Sequence, residues 1–496
     1  MSFEKVTPES VGIPSTAVLG LMDELKSQGV EMHALMILRH GKNCAEAWWK
    51  PYSPDAPHIM FSFSKSLTST AIGFLEQEGK LSLDERLVDI FPEHVPENPS
   101  ENLKKCTVEH LLMMGCGHET EIDTFDGTDS WIKLFLHHPF VFEPGTKFMY
   151  NTAGTNMLSA ILTKKTGQKL TEFLRPRLMD PLDMSKDIAC FEIDGGIEAG
   201  GFGYKLRTED MARFVQFVLN RGSWEGKQLL RAEWFERATA KQIENNDSGN
   251  PNPDWASGYG YQFWRCSVPG VFRGDGAFGQ FGVVIPDKDT AVIINSSSID
   301  LQPPLCAIYQ TLLPYLGDEV LPENPQAYSE LQFTLATREL SPMLGVRAPQ
   351  SEKKYDGVRL VPAEKMPAFT TLIGGAGRFV FEDSEIQSLR FRFGKGKETL
   401  EVTEKGRSYS LPLGLRGTYD TVEIGKETFG VNSCWRFEDK LEMHIRNIHT
   451  ASGKRFLISF GEREAVVNAE STVPEGGGLG DDLIPDSVWR IERDDA

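Results

Sequence analysis

Apolar residues follow a helical spacing directly after Phe61, in the segment FSFSKSLTSTAIGFLEQE. The recurring apolar positions are Phe63, Leu67, Ala71, Phe74 and Leu75. Intervals of three and four residues place these side chains on one face of a helix, so the pattern predicts a helix with a buried side. Gly79 follows at a position that suits the left-handed residue which ends many helices.

The rest of the first part of the chain alternates helical patterns with strand patterns. Residues 151–165 and 211–219 repeat the helical spacing. The run MHALMILRHGKNCAEAWW predicts a hairpin with its turn at residues 40–43, and residues 286–289 mark the turn of a second hairpin. We therefore predict an α/β (α+β) domain over residues 1–320, in which helices flank an antiparallel sheet.

Short alternating strands dominate the chain from about residue 355 onward. The strands predicted there are Arg378–Glu382, Ser388–Phe393, Leu400–Thr403, Trp435–Glu438 and Arg455–Phe460. They indicate an all-β domain, a small barrel or sandwich, over residues 355–465. The proline-containing stretch 321–354, with a helical piece near Tyr328–Arg338, is predicted to be a linker. The polar, glycine-rich residues 466–496 are predicted to form a tail, in which docking of Trp489 and Ile491 stays open.

Composition narrows the possible functions. The 496-residue chain carries a formal net charge of −19, which disfavours nucleic acid as a partner, because binding to phosphates requires a basic surface. No apolar run is long enough to cross a bilayer, and the first residues lack a secretion signal. The seven cysteines form no Cys-x-x-Cys pair and are expected to be reduced. We expect a cytoplasmic protein without a membrane partner.

Ser62 and Lys65 are the residues of this chain that most directly suggest chemistry. On a helix, residues three apart share a face, so the lysine amine can approach the serine hydroxyl as a nucleophile and its base do. Ser2–Lys5 and Ser351–Lys354 have the same spacing, but neither stands before a buried helical face. The alternative for Ser62 is a helix N-cap beside a solvated lysine.

Tyr150 is the best candidate for a second proton-handling group. It follows the turn at residues 143–146 and precedes the helical pattern of residues 151–165. A tyrosine has an ordinary pKa of about 10, and a nearby Lys65 ammonium would lower it enough for Tyr150 to act as a base. Alternatively, burial lowers the pKa of Lys65 and makes the lysine the base. The sequence leaves both possibilities open.

Several ordered motifs resemble a known family. The motifs are Ser62-Phe-Ser-Lys65-Ser, Pro144-Gly-Thr-Lys-Phe-Met-Tyr150-Asn, Gly258-Tyr-Gly-Tyr-Gln-Phe-Trp264 and Gly279-Gln280. Over roughly residues 10–315 the chain resembles the class C beta-lactamase-related serine hydrolases, which include penicillin-binding-protein-like esterases, D-aminopeptidases and 6-aminohexanoate-dimer hydrolases. The resemblance implies a beta-lactamase/transpeptidase-like fold, Ser62 as the acylated nucleophile, Lys65 as its proton acceptor or electrostatic partner, and Tyr150 as general base and acid.

The chain departs from the family at two motifs. The usual Tyr-x-Asn is Tyr150-Asn151-Thr152, and the usual Lys/His-x-Gly aligns with Gly274-Asp275-Gly276. The positions that the resemblance assigns to substrate binding are Asn151, Thr152, Gly274, Asp275 and Gly276. The backbone N–H groups of Ser62 and Ala277 are the expected oxyanion donors. The literal Lys165-Thr166-Gly167 follows a helical pattern and is interpreted as an ordinary helix end.

The expected function is hydrolysis of a small ester or amide through an acyl-enzyme, with no cofactor or metal. Beta-lactamase or D-aminopeptidase activity is the alternative within the same class, but the absence of a cation at residue 274 disfavours a substrate carboxylate. A catalytically inactive binding or regulatory protein of the same fold is the alternative of another class. His137-His138 could bind a metal, but adjacent residues diverge on a helix.

Overall fold

An antiparallel sheet organises the first part of the chain in the computed structural model. The structure describes residues 2–122, 130–247, 249–343, 345, 347–374, 384–394, 397–473 and 486–493. The sheet strands are β1 (Glu31–Arg39), β2 (Lys42–Trp48), β3 (Trp264–Arg265), β4 (Phe272–Gly276), β5 (Gln280–Ile285) and β6 (Thr290–Ser297). Their order across the sheet is β3-β4-β5-β6-β1-β2, and every neighbouring pair is antiparallel.

Two hairpins of this sheet confirm the pattern of the sequence. β1 and β2 are joined at His40 and Gly41, whose φ angles of 52° and 70° give the left-handed turn that suits a tight hairpin. β5 and β6 are joined through the short helical turn Pro286–Lys288. β5 and β6 are buried at every residue, and such continuous burial means that both faces of the sheet are covered.

Helices cover the sheet as predicted. Those that matter most below are α1 (Ser15–Ser27), α2 (Ser64–Gln77), α3 (Thr152–Thr166) and α4 (Thr208–Leu219). Further helices lie at Leu87–Ile90, Glu101–Lys105, Val108–Leu112, Trp131–His137, Leu170–Leu174, Ala232–Thr239, Gln302–Ala307 and Pro325–Ala336. α4 packs against β1, β5 and β6, and α2 packs against α3 and β4. Among the described residues, no helix has the length and apolarity needed to cross a bilayer.

Short strands complete this part of the chain. They lie at His58–Ile59, Ala189–Cys190, Tyr204–Leu206, Glu192–Ile193, Ile197–Glu198, Ser223–Trp224 and Lys227–Gln228. Tyr204–Leu206 pairs with His58–Ile59, and the N–H of Met60 donates to the carbonyl of Tyr204 at 2.9 Å. This pairing fixes the backbone immediately before Ser62.

The chain divides into two compact units. One comprises Met1–Trp48 and Pro57–Arg338, and the other comprises Trp49–Ala56 and Glu339–Ala496. The short segment 49–56 joins the second unit through hydrogen bonds: the N–H of Leu340 donates to Lys50 O, and the Tyr52 hydroxyl donates to Thr450 O. The sequence pattern did not indicate that residues 49–56 belong to the second unit.

The second unit is the predicted all-β region, built as one ten-stranded antiparallel sheet. Its strands are Arg359–Pro362, Ile386–Gly394, Lys397–Glu404, Arg407–Pro412, Asp420–Ile424, Glu427–Phe437, Lys440–Asn447, Gly453–Phe460, Glu464–Ser471 and Ser487–Glu492, with helices at Pro349–Tyr355 and Phe369–Leu372. The predicted strand at residues 378–382 lies outside the described residues. A core that includes Tyr355, Trp435 and Phe460 fills this unit.

Two of the predicted boundaries look different in the structure. The sheet includes Glu464–Ser471 and Ser487–Glu492, so the segment predicted to be a tail from residue 466 supplies strands. Trp489 is only 2% exposed, and its packing outweighs the polar composition around it. The stretch predicted to be a linker, 321–354, is divided between the two units after Arg338, and its helix Pro325–Ala336 lies where a helical piece was expected.

Candidate active site

Ser62 lies in a tight turn at the entrance to α2. Residues Phe61–Phe63 form a single 3-10 turn, and α2 begins at Ser64 with every residue buried as far as Leu75. Phe61 has a φ of 45°, an unfavourable conformation for a bulky residue. Such strain persists only where the surrounding structure enforces it, and it occurs often at functional sites. The serine therefore sits on a rigid support.

Lys65 lies one turn further along and points back to Ser62. Its Nζ is 3.0 Å from Ser62 Oγ, 3.3 Å from Thr152 Oγ1 and 2.8 Å from the carbonyl oxygen of Gly201. The lysine is 1% exposed. The structure thus brings the predicted pair together, and it excludes the alternative of a solvated lysine.

Burial changes the protonation of this lysine. Removal from water lowers the pKa of Lys65 to about 7, against a smaller opposing effect of the carboxylates of Glu121 and Asp275. Near neutral pH, a large fraction of Lys65 is therefore the neutral amine. A neutral amine has a lone pair that can accept a proton from the Ser62 hydroxyl.

Tyr150 lies beside the same pair, but its pKa is raised, whereas Tyr150 as the base required a lowered pKa. The Lys65 Nζ is 4.8 Å from the centre of the Tyr150 ring, and the Ser62 side chain is close enough to the tyrosine hydroxyl to lower its pKa. Burial raises the pKa of Tyr150 well above its usual range, and the Asp275 carboxylate raises it further. Lys65 does not lower the pKa of Tyr150 as we expected, because the lysine itself loses its charge on burial.

The two residues after Tyr150 have different surroundings. Asn151 is fully buried, and its side chain accepts from the N–H of Gly154 as the N-cap of α3 and contacts His118 Nδ1 at 2.9 Å. These contacts occupy Asn151, so we do not retain its expected role in substrate binding. Thr152 faces Lys65, and its hydroxyl lies 3.3 Å from the lysine Nζ.

A glycine loop supplies the remaining contact to Lys65. An added Cβ at Gly201 would lie 2.8 Å from the Thr152 side chain, and one at Gly200 would lie 2.7 Å from Thr68 Oγ1. The N–H of Gly201 donates to Asn156 at 3.0 Å. Glycine is required here because the backbone itself must reach the lysine.

The strand β4 passes the serine turn at contact distance. A Cβ at Gly276 would collide with the carbonyl of Met60, and the rings of Phe61 and Phe278 are 5.3 Å apart. Ala277 therefore lies next to the turn that carries Ser62. At Gly274, an added Cβ would be 2.8 Å from Ser66 Oγ and 3.0 Å from the Phe63 ring, so the structure has no room for a cationic side chain there.

Asp275 is placed differently from a substrate-binding residue. It is 7% exposed, and its Oδ2 lies 3.0 Å from Nε and 2.9 Å from Nη2 of Arg273, which is itself fully buried. The ion pair occupies the carboxylate, and the guanidinium lies 4.3 Å from the ring of Trp255. Neither charge is available to a substrate in this arrangement.

Glu121 is a neighbour that the sequence did not indicate. Its carboxylate accepts from the N–H of Thr152 at 3.0 Å, at the start of α3, and the side chain is exposed. The segment GHETEID around it carries no motif. Only its acidic character and a helix start downstream could have suggested a carboxylate at that N-terminus.

Two other candidate motifs are structural. Lys165 lies in the last turn of α3, where it pairs with Glu85, and Gly167 has a φ of 71°. This is the ordinary helix end that we expected. His137 ends its helix and His138 follows it. In the part of the chain that the structure describes, no group of three or more His, Cys, Asp or Glu side chains is arranged to hold a metal ion.

Fold and site together define a protein of the beta-lactamase and transpeptidase type, with helices around an antiparallel sheet and an appended all-β unit. The beta-lactamase family profile matches residues 18–301, more than half of the chain. The chain therefore belongs to the beta-lactamase family.

Individual relatives share modest sequence identity with this chain. The 6-aminohexanoate-dimer hydrolase of Paenarthrobacter ureafaciens is 25% identical over 286 residues, which is 53% of this chain and 72% of the relative. Protein flp of Staphylococcus aureus (strain MW2) is 27% identical over 206 residues, 34% of this chain and 40% of that protein. Family and relatives indicate a hydrolase of the beta-lactamase fold.

Solved structures show the same fold at lower identity. A Bacillus anthracis protein assigned as a 6-aminohexanoate-dimer hydrolase superposes with a TM-score of 0.51 at 19% identity, covering 68% of this chain and 89% of that one. A family VIII carboxylesterase superposes with a TM-score of 0.50 at 16% identity, covering 64% of this chain and 100% of that one.

Proposed function

We propose that this protein is a serine hydrolase that cleaves a small ester or amide through an acyl-enzyme on Ser62. The observation that carries the proposal is the 3.0 Å contact between Ser62 Oγ and the buried Lys65 Nζ, whose pKa is lowered to about 7. A serine hydroxyl is a weak nucleophile unless a neighbouring base takes its proton. Lys65 is that base in our proposal.

Counting hydrogen bonds supports this role. A neutral lysine amine has two N–H donors and one lone pair. The carbonyl of Gly201 and the hydroxyl of Thr152 accept the two donors, which leaves the lone pair for the Ser62 hydroxyl. Tyr150 is protonated in the same pH range because its pKa is raised, so it enters the reaction as a proton donor.

Attack of Ser62 on the carbonyl carbon forms a tetrahedral intermediate whose oxygen carries negative charge. We assign the N–H groups of Ser62 and Ala277 to that oxygen, because Gly276 holds Ala277 against the turn before Ser62. The Tyr150 hydroxyl, which lies beside Ser62, delivers a proton to the departing alcohol or amine. Water then enters the vacated place and releases the acyl group by the reverse transfers.

The shape and charge around Gly274 support an ester or amide without an essential carboxylate. Phe63 and Ser66 fill the space that a lysine or histidine at residue 274 would need. The charged neighbours that act on Lys65 are the carboxylates of Glu121 and Asp275. Like charges repel, so a substrate carboxylate gains little at this site.

A fluorophosphonate probe tests the proposal directly. The probe phosphonylates an activated serine, and mass spectrometry of the digested protein locates the adduct. We expect one adduct on the peptide that contains Ser62, together with turnover of 4-nitrophenyl acetate. Absence of both would favour the alternative of a binding or regulatory protein that keeps the fold without catalysis.

The pH dependence follows from the protonation of Lys65. The active form carries the neutral amine, so kcat/KM for a non-ionising ester should fall about tenfold for each pH unit below about 7 and level off above it. The measurement is kcat/KM from pH 5 to 9 after subtraction of the buffer rate. A rate that keeps rising tenfold per unit up to pH 9 would instead identify the Tyr150 phenolate as the base.

A panel of acyl donors tests the substrate class. We expect short-chain neutral esters to exceed benzylpenicillin in kcat/KM by about a hundredfold, since a missing charge-assisted contact to the carboxylate costs about that factor. A monoester of a dicarboxylic acid and the matching neutral diester provide the control pair. Faster turnover of benzylpenicillin, or of the charged partner, would contradict the proposal.

A further inference from the structure

Trp264, Arg273 and Asp275 lie on one face at the edge of the sheet. Trp264 and Arg273 pair directly across β3 and β4, and Asp275 is two residues beyond Arg273 on the same strand. Directly opposed residues and residues two apart share a face of a sheet. Gly274, between them, faces Phe63 and Ser66 of the serine segment instead.

These three side chains form one connected group. Arg273 binds Asp275 through Nε and Nη2, and its guanidinium lies 5.6 Å from the ring of Trp264. Burial raises the pKa of Asp275, and the Trp264 side chain beside it is one of the groups that lower this pKa. Nη1 of Arg273 donates to the carbonyl of Asp254 at 2.9 Å, which ties the group to the chain behind it.

The group ends on Tyr150. The ring of Trp264 stacks on the ring of Tyr150 with a centroid distance of 5.4 Å and an interplanar angle of 21°. The Tyr259 ring meets Tyr150 edge-on at 6.4 Å. The Tyr259 ring also meets the indole edge-on at 4.8 Å, so packing against Tyr259 and the Arg273 guanidinium fixes the plane of the indole and of the phenol stacked on it.

We propose that Trp264, Arg273 and Asp275 are positioning residues that orient Tyr150 and set the electric field at Ser62 and Lys65. The inference rests on the proposed function, because it assigns these residues a role in that reaction. In the resembling family the motif at residues 274–276 helps to bind a substrate carboxylate, whereas here Arg273 and Asp275 of that strand form an internal ion pair, which serves the catalytic tyrosine instead of the substrate.

The field follows from the charges that face the two catalytic groups. Lys65 is faced by Glu121 and Asp275, and Tyr150 is faced by Asp275, Glu121 and Arg273, with Tyr259 beside it. Asp275 favours the protonated form of both groups, whereas Arg273 lowers the pKa of Tyr150. Burial and the Asp275 carboxylate therefore keep the phenol protonated, while burial leaves a large fraction of Lys65 neutral near pH 7.

The test compares Asp275→Asn with the double variant Arg273→Met/Asp275→Asn. Asp275→Asn removes the negative charge and leaves Arg273 unpaired, so the acidic limb of kcat/KM should move to lower pH by about one unit. The double variant has no charge at residues 273 and 275. Its acidic limb of kcat/KM should lie at a pH between those of Asp275→Asn and the wild type.

Thermal unfolding shows whether each variant is folded. If Asp275→Asn does not fold, the double variant serves as the test, because the double variant buries no unpaired charge. Trp264→Phe, which keeps a ring on Tyr150 but loses the indole N–H, should lower kcat about tenfold with little change in KM. The inference would be overturned if the folded variants had the same kcat as the wild type and the same pH dependence of kcat/KM. Wild-type protein without any ester turnover would overturn the proposed function itself.

Discussion

Ser62→Ala should lower ester turnover by about 10⁴-fold or more and abolish labelling by a fluorophosphonate. The reason is that the acyl-enzyme cannot form without the hydroxyl, and removal of a nucleophile that acts with its base removes the function of both. The fold should remain, because Ser62 precedes α2 and the buried face of that helix is unchanged. Initial rates with 4-nitrophenyl acetate, beside a thermal unfolding curve, measure both effects.

Ser351→Ala is the matched control. Ser351 and Lys354 have the same spacing as Ser62 and Lys65, but they lie in the helix Pro349–Tyr355 of the second unit. This control should retain wild-type turnover and labelling. Ser62→Ala with turnover within tenfold of the wild type would remove Ser62 from the mechanism.

Lys65→Met should lower kcat/KM for neutral esters by about a thousandfold, because the serine then lacks a base at its hydroxyl. Methionine has nearly the length of the lysine stem and suits a buried position, so little of the loss should come from unfolding. Removal of the amine leaves the carbonyl of Gly201 without its donor, and a moderate drop in thermal stability should accompany the change. Steady-state kinetics and a melting curve separate these contributions.

Small primary amines added to Lys65→Met offer a sharper measurement. An amine that enters the vacated space should restore part of the turnover, and the restored rate should increase with the fraction of neutral amine in the buffer. Lys165→Met is the control, since Lys165 lies at the far end of α3 in the literal Lys-Thr-Gly. A Lys65→Met variant with unchanged pH dependence and rate would contradict the assignment of the base.

Local patterns predicted the secondary structure of the first unit well. The helix after Phe61, the two hairpins and α3 all follow from side-chain spacing and turn residues close together in the chain. The approach of Ser62 to Lys65 is also local, because the two residues are one helical turn apart. Such features depend on the backbone geometry of a single element.

The features that the sequence did not predict depend on contacts between distant segments. Residues 49–56 belong to the second unit through partners near residues 340 and 450. The choice between Lys65 and Tyr150 as base depends on burial, which α3 and the loop at Gly201 create together. Glu121 reaches the site only because the chain before it folds back to the start of α3. The periodic spacing of side chains along the sequence does not predict these contacts between distant segments.

The close packing around Gly274 restricts how this protein can evolve. A lysine or histidine at residue 274 collides with Phe63 and Ser66, so overpacking would destabilise the single substitution before a new contact could form. Only a second substitution, of Phe63 by a residue with a smaller side chain, would open the space. Phe63 also supports the serine turn. A cation at residue 274 that binds a beta-lactam carboxylate therefore requires both substitutions, and their effects on activity are epistatic. Antibiotic selection on single-substitution libraries should recover no variant at residue 274.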